Sequence, residues 1–366
     1  MASSLAVTGA GGFLGWHTRV RARAHGVGQV TAVRLGAHAG IDAVAEAISG
    51  VKRLLHLAGV NRGTPHEIRD GNTTFARQLA AGLRRASTPP ATIVYANSTQ
   101  AGNNTDYGSA KMEAAEILGA TAADLGVEFI DLRFPNLFGE HGRPFYNSVV
   151  ATFSHQLAQG GQPQVEVDRE LTLLHVQDAA DLLLTAAPGH SADAHASRRT
   201  VGSLLGTLSH FASLYRVGEI PELLNSFDIA LFNTYRSFTF PAQWPIPLIR
   251  RTDHRGSFVE TVRAHGSPGQ LSYSTTIPGI VRGQHFHLAK VERFVVISGQ
   301  AEIALRRVLT NEIVRFPVSG AEPAIVDMPT MWVHNITNTG DNLLFTLFWT
   351  NDLFDPASPD TYPEDV

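Results

Sequence analysis

Near the start of the chain, Leu5-Ala6-Val7-Thr8 is followed at once by Gly9-Ala10-Gly11-Gly12-Phe13-Leu14-Gly15. A short apolar run with a G-x-x-G-x-x-G spacing directly after it predicts a strand, a tight turn and a helix start. Glycine lets the backbone approach a pyrophosphate, whose charge is then met by the first amides of the helix. Further apolar runs at 30–33, 53–58, 92–96 and 127–132 alternate with helical stretches at 12–24, 74–86 and 107–125. Strands separated by helices require right-handed crossovers, so this half predicts an α/β, Rossmann-like, doubly wound parallel sheet.

Past about residue 265 the texture changes to strand-like pieces at 292–297, 301–307, 311–317 and 343–350, an all-β module. Between the halves, Phe240-Pro241-Ala242-Gln243-Trp244-Pro245-Ile246-Pro247 disfavours helix and suits an extended connector. The expected domains are therefore 1–245 and 246–366, and 366 residues leave room for two or three cores at ~150 residues each. The polar stretch 191–199 reads as a surface loop.

Composition narrows the function classes. With 29 Lys and Arg against 33 Asp and Glu there is no cationic excess to neutralise a nucleic acid or an anionic bilayer. The absence of cysteine excludes disulfides, thiolate metal sites and cysteine nucleophiles, and fits a reducing cytoplasm. No basic segment precedes an apolar h-region at the start, and no apolar run approaches the ~18 residues of a membrane span. The expectation is an unprocessed, soluble, cytoplasmic chain.

Three groups of residues carry chemistry. Arg34 ends the second strand, where an NAD-preferring domain places an acid for the ribose; a guanidinium there can pair with a 2′-phosphate and points to NADPH, or it is simply solvated. Only one helical stretch separates this strand from His56-Leu57-Ala58-Gly59, so an intermediate helix and strand are abbreviated. Tyr107 and Lys111 lie at i and i+4 on one helix face, where the ammonium lowers the phenol pKa and suits it to proton transfer near neutrality. Ser98 closes a predicted strand and offers a hydroxyl to a substrate oxygen.

The third group lies in the β module. His285 and His287, two residues apart on a strand, face one way; Glu292 on the neighbouring strand and His334 downstream complete a His₃Glu set. Such a set suits Zn²⁺, Mn²⁺ or Fe²⁺, of which zinc is the metal expected here.

The glycine loop, the Ser98, Tyr107 and Lys111 set, His56 to Gly59, Arg133-Phe134-Pro135-Asn136-Leu137-Phe138-Gly139 and His175-Val176-Gln177-Asp178-Ala179-Ala180 make residues 1–245 resemble the extended short-chain dehydrogenase/reductase family. The resemblance implies Tyr107 as acid/base, Lys111 as its partner and a ribose ligand, and Ser98 as oxygen anchor. It also implies cofactor contacts from Gly9, Gly12, Phe13, Leu14, Gly15, Arg34, Leu57, Ala58, Gly59 and Pro135. Family dehydratases follow the Ser/Thr with an Asp-Glu pair; here Thr99 is followed by Gln100-Ala101, which favours simple ketone reduction or oxidation.

The histidine spacing resembles the two motifs of cupins (double-stranded β-helices), with Met331 where a glycine commonly stands. Asp253 to Glu260 and Arg282-Gly283-Gln284-His285 also resemble metal-free deoxysugar-nucleotide 3,5-epimerases, whose R-G-x-H histidine is the base. If His285 ligates a metal that role passes elsewhere, with Tyr273, His254, Lys290 and Glu292 as candidates.

Reductase followed by cupin, with the closing Phe354-Asp355-Pro356-Ala357-Ser358-Pro359-Asp360-Thr361-Tyr362, resembles a family of bifunctional capsular-polysaccharide enzymes that form UDP-2-acetamido-2,6-dideoxy-L-talose. That resemblance implies a UDP-4-keto-deoxy sugar substrate, C3 epimerisation in the cupin, then NADPH reduction at C4. A metal would polarise the ketone and stabilise the enolate. Asn136, Asn147 and Arg282 are candidate substrate contacts, and a homodimer or higher homo-oligomer is expected. Two alternatives stay open: a ketoreductase whose cupin is only structural or dimerising, and a non-enzymatic nucleotide-sensing module.

Overall fold

The structure, a computed structural model, describes residues 4–266 and 268–366. The chain runs through β1 (Leu5–Thr8), α1 (Phe13–Ala24), β2 (Val30–Val33), α2 (Ile41–Ile48), β3 (Arg53–His56), α3 (Pro65–Arg85), β4 (Thr92–Ser98), α4 (Asp106–Leu125) and β5 (Glu128–Phe134). It continues with β6 (Asn136–Phe138), α5 (Val149–Ala158), β7 (Glu170–His175), α6 (Val176–Thr185), β8 (Ser197–Thr200), α7 (Val201–Tyr215) and α8 (Ser226–Thr239). Two compact units result. The first takes the chain up to Phe138 with Phe145–Ser148 and Glu170–Arg199; the second takes Gly139–Pro144, Val149–Arg169 and Thr200–Val366.

In the first unit β1 to β5 form a parallel sheet in the order β2-β1-β3-β4-β5. Leu5 and Val7 point into a cluster with Leu55, Val94, Leu132 and Leu183, whereas Ala6 points the other way, among Ile48, Leu54, Leu79, Ile93 and Leu118. Helices cover both faces, which is why β1 reads as an unbroken apolar run instead of an alternating one. The expected abbreviation is present: β2 is an edge strand joined to β3 through α2 alone.

Two local readings differ from the structure. Helix α3 begins at Pro65, nine residues before the expected start, because Thr64 and Glu67 form a reciprocal capping box with proline in the first turn. The polar segment 191–199 is not a loop throughout, since β8 joins β6 and β7 in a three-stranded sheet. Among the described residues no helix is long and apolar enough to cross a membrane.

The strands of the second unit are β9 (Ile246–Pro247), β10 (Arg250–Asp253), β11 (Gly256–Val259), β12 (Gln270–Thr276), β13 (Val281–Phe286), β14 (Glu292–Ser298), β15 (Gln300–Arg307), β16 (Ile313–Ser319), β17 (Ala324–Met328), β18 (Trp332–Asn338), β19 (Leu344–Thr350) and β20 (Tyr362–Pro363). They form a β10–β11 hairpin and two five-stranded antiparallel sheets, ordered β12-β19-β14-β17-β9 and β16-β15-β18-β13-β20, a cupin-like arrangement.

Strand alternation divides labour along β14. Glu292 faces the histidines, while the next residue, Arg293, turns to the opposite face and forms a bidentate pair with Asp327, 2.7 and 2.9 Å, with both side chains fully buried. Tyr215 of α7 donates to Asp327 (2.9 Å) and accepts from Arg236 of α8 (3.0 Å); Arg236 also donates to the Met328 carbonyl (2.7 Å). Helices α7 and α8 are thereby fastened to the sheet that carries Glu292.

Candidate active site and metal centre

The glycine loop of the first unit is a close-contact turn. Gly9 has φ +66°, and a Cβ there would meet the Ala58 backbone nitrogen at 2.7 Å, so only glycine lets the loop lie on the segment after β3. Gly12 caps α1 with extended backbone and no side-chain hydrogen bond, and the first turn, which starts with Phe13, Leu14 and Gly15, contains no acidic residue. These amides are available to a diphosphate. Beneath the loop, buried Thr8 accepts through Oγ1 from the amides of Leu57 (3.0 Å) and Ala58 (3.1 Å) and contacts His56 Nδ1 at 2.8 Å.

Arg34 is exposed just past edge strand β2. The adjoining turn is held by Gln78, which accepts from the Gly36 amide (2.8 Å) and donates to its carbonyl (3.0 Å). Gly59 is followed by Val60, whose amide and carbonyl are both held by buried Asn72. Pro135 links β5 to β6; Asn136 donates to the Thr172 carbonyl at 3.1 Å and Asn147 is exposed.

Ser98 ends β4 and Tyr107 lies in the first turn of α4, capped by Thr105, which accepts from the Gly108 amide at 3.1 Å. A Ser98 side-chain hydrogen bond favours the Tyr107 phenolate, but burial dominates and raises the phenol above its usual range. The i and i+4 spacing predicts that Lys111 lowers it. Lys111 instead donates to the Ala96 carbonyl at 2.7 Å and sits 4.1 Å from the Tyr95 ring centroid; burial brings its own pKa down to about 7 against the opposing charge of Asp131. A neutral phenol hydrogen-bonded to a serine is a proton donor, the form that ketone reduction consumes.

In the second unit the four expected ligands converge. One ligand atom from each of His285, His287, Glu292 and His334 lies within 4.8 Å of all the others. Glu292 Oε2 is 3.1 Å from His287 Nε2 and 3.0 Å from His334 Nε2. Register explains part of this: β13 pairs His285 directly with His334 of β18. His287 falls one residue past β13, and the strand carries a bulge between Gly283 and His285, with Gln284 at φ +64°.

The donor set fits a divalent cation. His287 Nδ1 faces the Asp360 carbonyl and His334 Nδ1 the Trp332 carbonyl (3.2 Å), which directs both Nε2 lone pairs into the cluster. His334 Nε2 is fully buried and, despite the nearby carboxylate, lacks a partner in hydrogen-bonding geometry. Burial and the neighbouring imidazoles push His285 down to about 3, and the histidines hold the Glu292 carboxyl well below its usual range although burial opposes this. Met331 adopts the left-handed conformation, φ +61°, that a glycine would take; its amide bonds the His287 carbonyl (2.8 Å) and its carbonyl accepts from Val308 (3.0 Å). Arg282 is exposed on β13.

Thr8, Gln78 and Asn72 are supporting residues that only the structure brings out; their one signal in the sequence is a polar residue in a buried phase or beside a glycine turn. Among the candidates for a base, Lys290 donates to the Pro359 carbonyl at 2.7 Å, Tyr273 is 71% exposed, His254 is exposed, and Glu292 is itself a member of the cluster.

Residues 5–202 match the NAD dependent epimerase/dehydratase family, and 251–362 match the polysaccharide biosynthesis C-terminal domain. The chain is 32% identical to UDP-2-acetamido-2,6-beta-L-arabino-hexul-4-ose reductase of Pseudomonas aeruginosa over 97% of both chains. It is similar to the crystal structure of the capsular polysaccharide assembling protein CapF from Staphylococcus aureus, with 31% identity, TM-score 0.61 and coverage of 99% of this chain and 100% of that one. A CapF structure with the inhibitor 3-isopropenyl-tropolone matches at 29% identity and TM-score 0.57, with the same coverage. By its glycine cradle, its Ser98, Tyr107 and Lys111 set and these similarities, the chain belongs to the NAD dependent epimerase/dehydratase family, in the group whose members continue into a polysaccharide biosynthesis C-terminal domain.

Proposed function

We propose that the chain converts a UDP-4-keto-6-deoxy-N-acetylhexosamine in two steps, C3 epimerisation in the cupin-like module and NADPH-dependent reduction at C4 in the dinucleotide module. We place the functional division at about residue 245; family matches at residues 5–202 and 251–362 on either side support this reading. The observation that carries the reductive half is the neutral, serine-bonded Tyr107 phenol in the first unit that also holds the glycine cradle. The relative's name supplies the substrate class.

Order follows from acidity. A C4 ketone acidifies the hydrogen on C3, so inversion there precedes reduction, which removes the carbonyl. NADPH, when bound, supplies hydride to C4. Ser98 orients the carbonyl oxygen, Tyr107 gives its hydroxyl proton to the oxygen as C4 is reduced, and Lys111 holds the ribose. Arg34 selects the 2′-phosphate by charge-assisted hydrogen bonds.

In the cupin-like module His285, His287, Glu292 and His334 would hold a divalent cation, with zinc favoured by three imidazoles. Such a cation supplies positive charge against a carbonyl oxygen. The tropolone inhibitor named with CapF has adjacent carbonyl and hydroxyl oxygens, a chelating pair, which supports this reading. Exposed Arg282, Asn136 and Asn147 are proposed to meet the sugar or diphosphate.

The reductive half is tested with Tyr107→Phe. NADPH oxidation by the ketosugar should fall by at least about a hundredfold, the usual scale of acid catalysis, with NADPH affinity retained. Wild-type turnover in the variant would remove Tyr107 from the reaction.

A further inference from the structure

The closing Phe354 to Tyr362 motif plays no part in the chemistry above, yet in the second unit it and the next two residues, Pro363 and Glu364, lie along every residue from Gln284 to Lys290. The Glu364 amide donates to the Gln284 carbonyl at 3.0 Å. Strand β20 pairs Pro363 with His285 and Tyr362 with Phe286, whose rings lie 5.3 Å apart. Asp360 does the rest. Its backbone carbonyl meets His287 Nδ1, and its carboxylate accepts from the amides of Leu288 (2.9 Å), Ala289 (2.9 Å) and Lys290 (2.8 Å). Lys290 Nζ grips the flanking residues, the Pro359 carbonyl at 2.7 Å and Thr361 Oγ1 at 3.3 Å. Arg306 anchors the far end on Glu364 at 2.8 Å.

Three successive amides converging on one carboxylate form an anion nest, a strong and directional arrangement of charge-assisted bonds. Asp360 holds it at φ +40°, a backbone conformation that L residues rarely adopt and that this set of bonds sustains. The turn so fixed is the one joining His287 to Glu292, and the same residue decides which nitrogen of His287 carries hydrogen.

We infer that Asp360 is the positioning residue of the metal centre, with segment 355–366 acting as a strap that pre-sets His287 and the His287–Glu292 turn for a divalent cation. This rests on the metal reading above. Outer partners of metal-ligating histidines typically govern affinity by about 10- to 100-fold.

The test is Asp360→Asn in the full chain, with Zn²⁺ affinity measured by competition against a chromophoric chelator and the His287 tautomer read from ¹⁵N shifts in the metal-free protein. The inference expects at least about tenfold weaker Zn²⁺ binding and loss of a pure Nδ1–H tautomer. Lys290→Met, which keeps the nest and loosens only its flank, should show a smaller loss of the same sign and covers the case in which Asp360→Asn does not fold. Wild-type affinity and tautomer in both variants would overturn the inference. If the unaltered chain takes up no divalent cation, the metal reading fails, and the tautomer comparison alone decides the role of the strap.

Discussion

Thr8 Oγ1 stands 2.8 Å from His56 Nδ1 while accepting from the two amides that follow His56. With its acceptor sites used, the hydroxyl hydrogen points to Nδ1, which requires a neutral imidazole. Burial, reinforced by the positive charge of Lys111, pushes His56 down to about 3 and secures that state. Thr8→Val keeps the shape but orphans two amides and a ring nitrogen, so a loss of about 1–3 kcal/mol in stability is expected, together with weaker NADPH binding. Thermal unfolding with and without NADPH reads both; an unchanged NADPH-induced shift would separate this contact from the cradle.

Gly108 follows the phenol directly. A Cβ there would lie 2.0 Å from Asn103 Oδ1 and 2.3 Å from the Gln100 carbonyl, and Asn103 is already engaged with the capping Thr105. Gly108→Ala must shift the first turn of α4, and a displacement of about 1 Å can cost about 100-fold in rate. The expected result is a fall of that order in kcat with near-native circular dichroism.

Lys111 gives a signed pH dependence. Its pKa is about 7 in the folded chain against 10.5 for an unperturbed lysine, so between these values the unfolded chain binds more protons and stability rises with pH. Lys111→Met should therefore flatten the rise in Tm between pH 7 and 10. Reductase activity should fall at the same time. A variant whose Tm rises between pH 7 and 10 as steeply as that of the unaltered chain would contradict a depressed Lys111 pKa.

The Arg293–Asp327 pair predicts how firmly α7 and α8 are held. Asp327→Asn leaves a buried guanidinium without its counter-charge, with an expected cost of about 3–5 kcal/mol, measurable by urea unfolding. The double change Arg293→Met with Asp327→Leu should cost less than the single one, because neither member of the pair is left as a buried charge without its partner.

What the sequence disclosed and what it concealed divide by range. The strand, turn and helix at residues 5–24 were legible because each step is local: an apolar run, then glycines, then a helix start. The four histidine and glutamate positions were legible because strand period and motif spacing carry them. Lys111 pointing at the Ala96 carbonyl was not, since i and i+4 spacing fixes a face and leaves the rotamer open. The left-handed Met331 was hidden because its support, the His287 carbonyl, is remote in sequence. Asp360 was invisible as a partner of residues 288–290, some 70 positions away, and Arg293 gave no sign that a charged residue would be wholly buried.

The central claim is that one chain both exchanges the proton at C3 and reduces the adjacent ketone. NMR of the product formed from a UDP-4-keto-6-deoxy-N-acetylhexosamine and NADPH in deuterated water tests it most directly. Deuterium at C3, a hydrogen from NADPH at C4, and loss of the C3 deuterium with C4 reduction intact in His334→Ala are the predicted results. A product reduced at C4 that carries no deuterium at C3 when made by the unaltered chain would contradict the account.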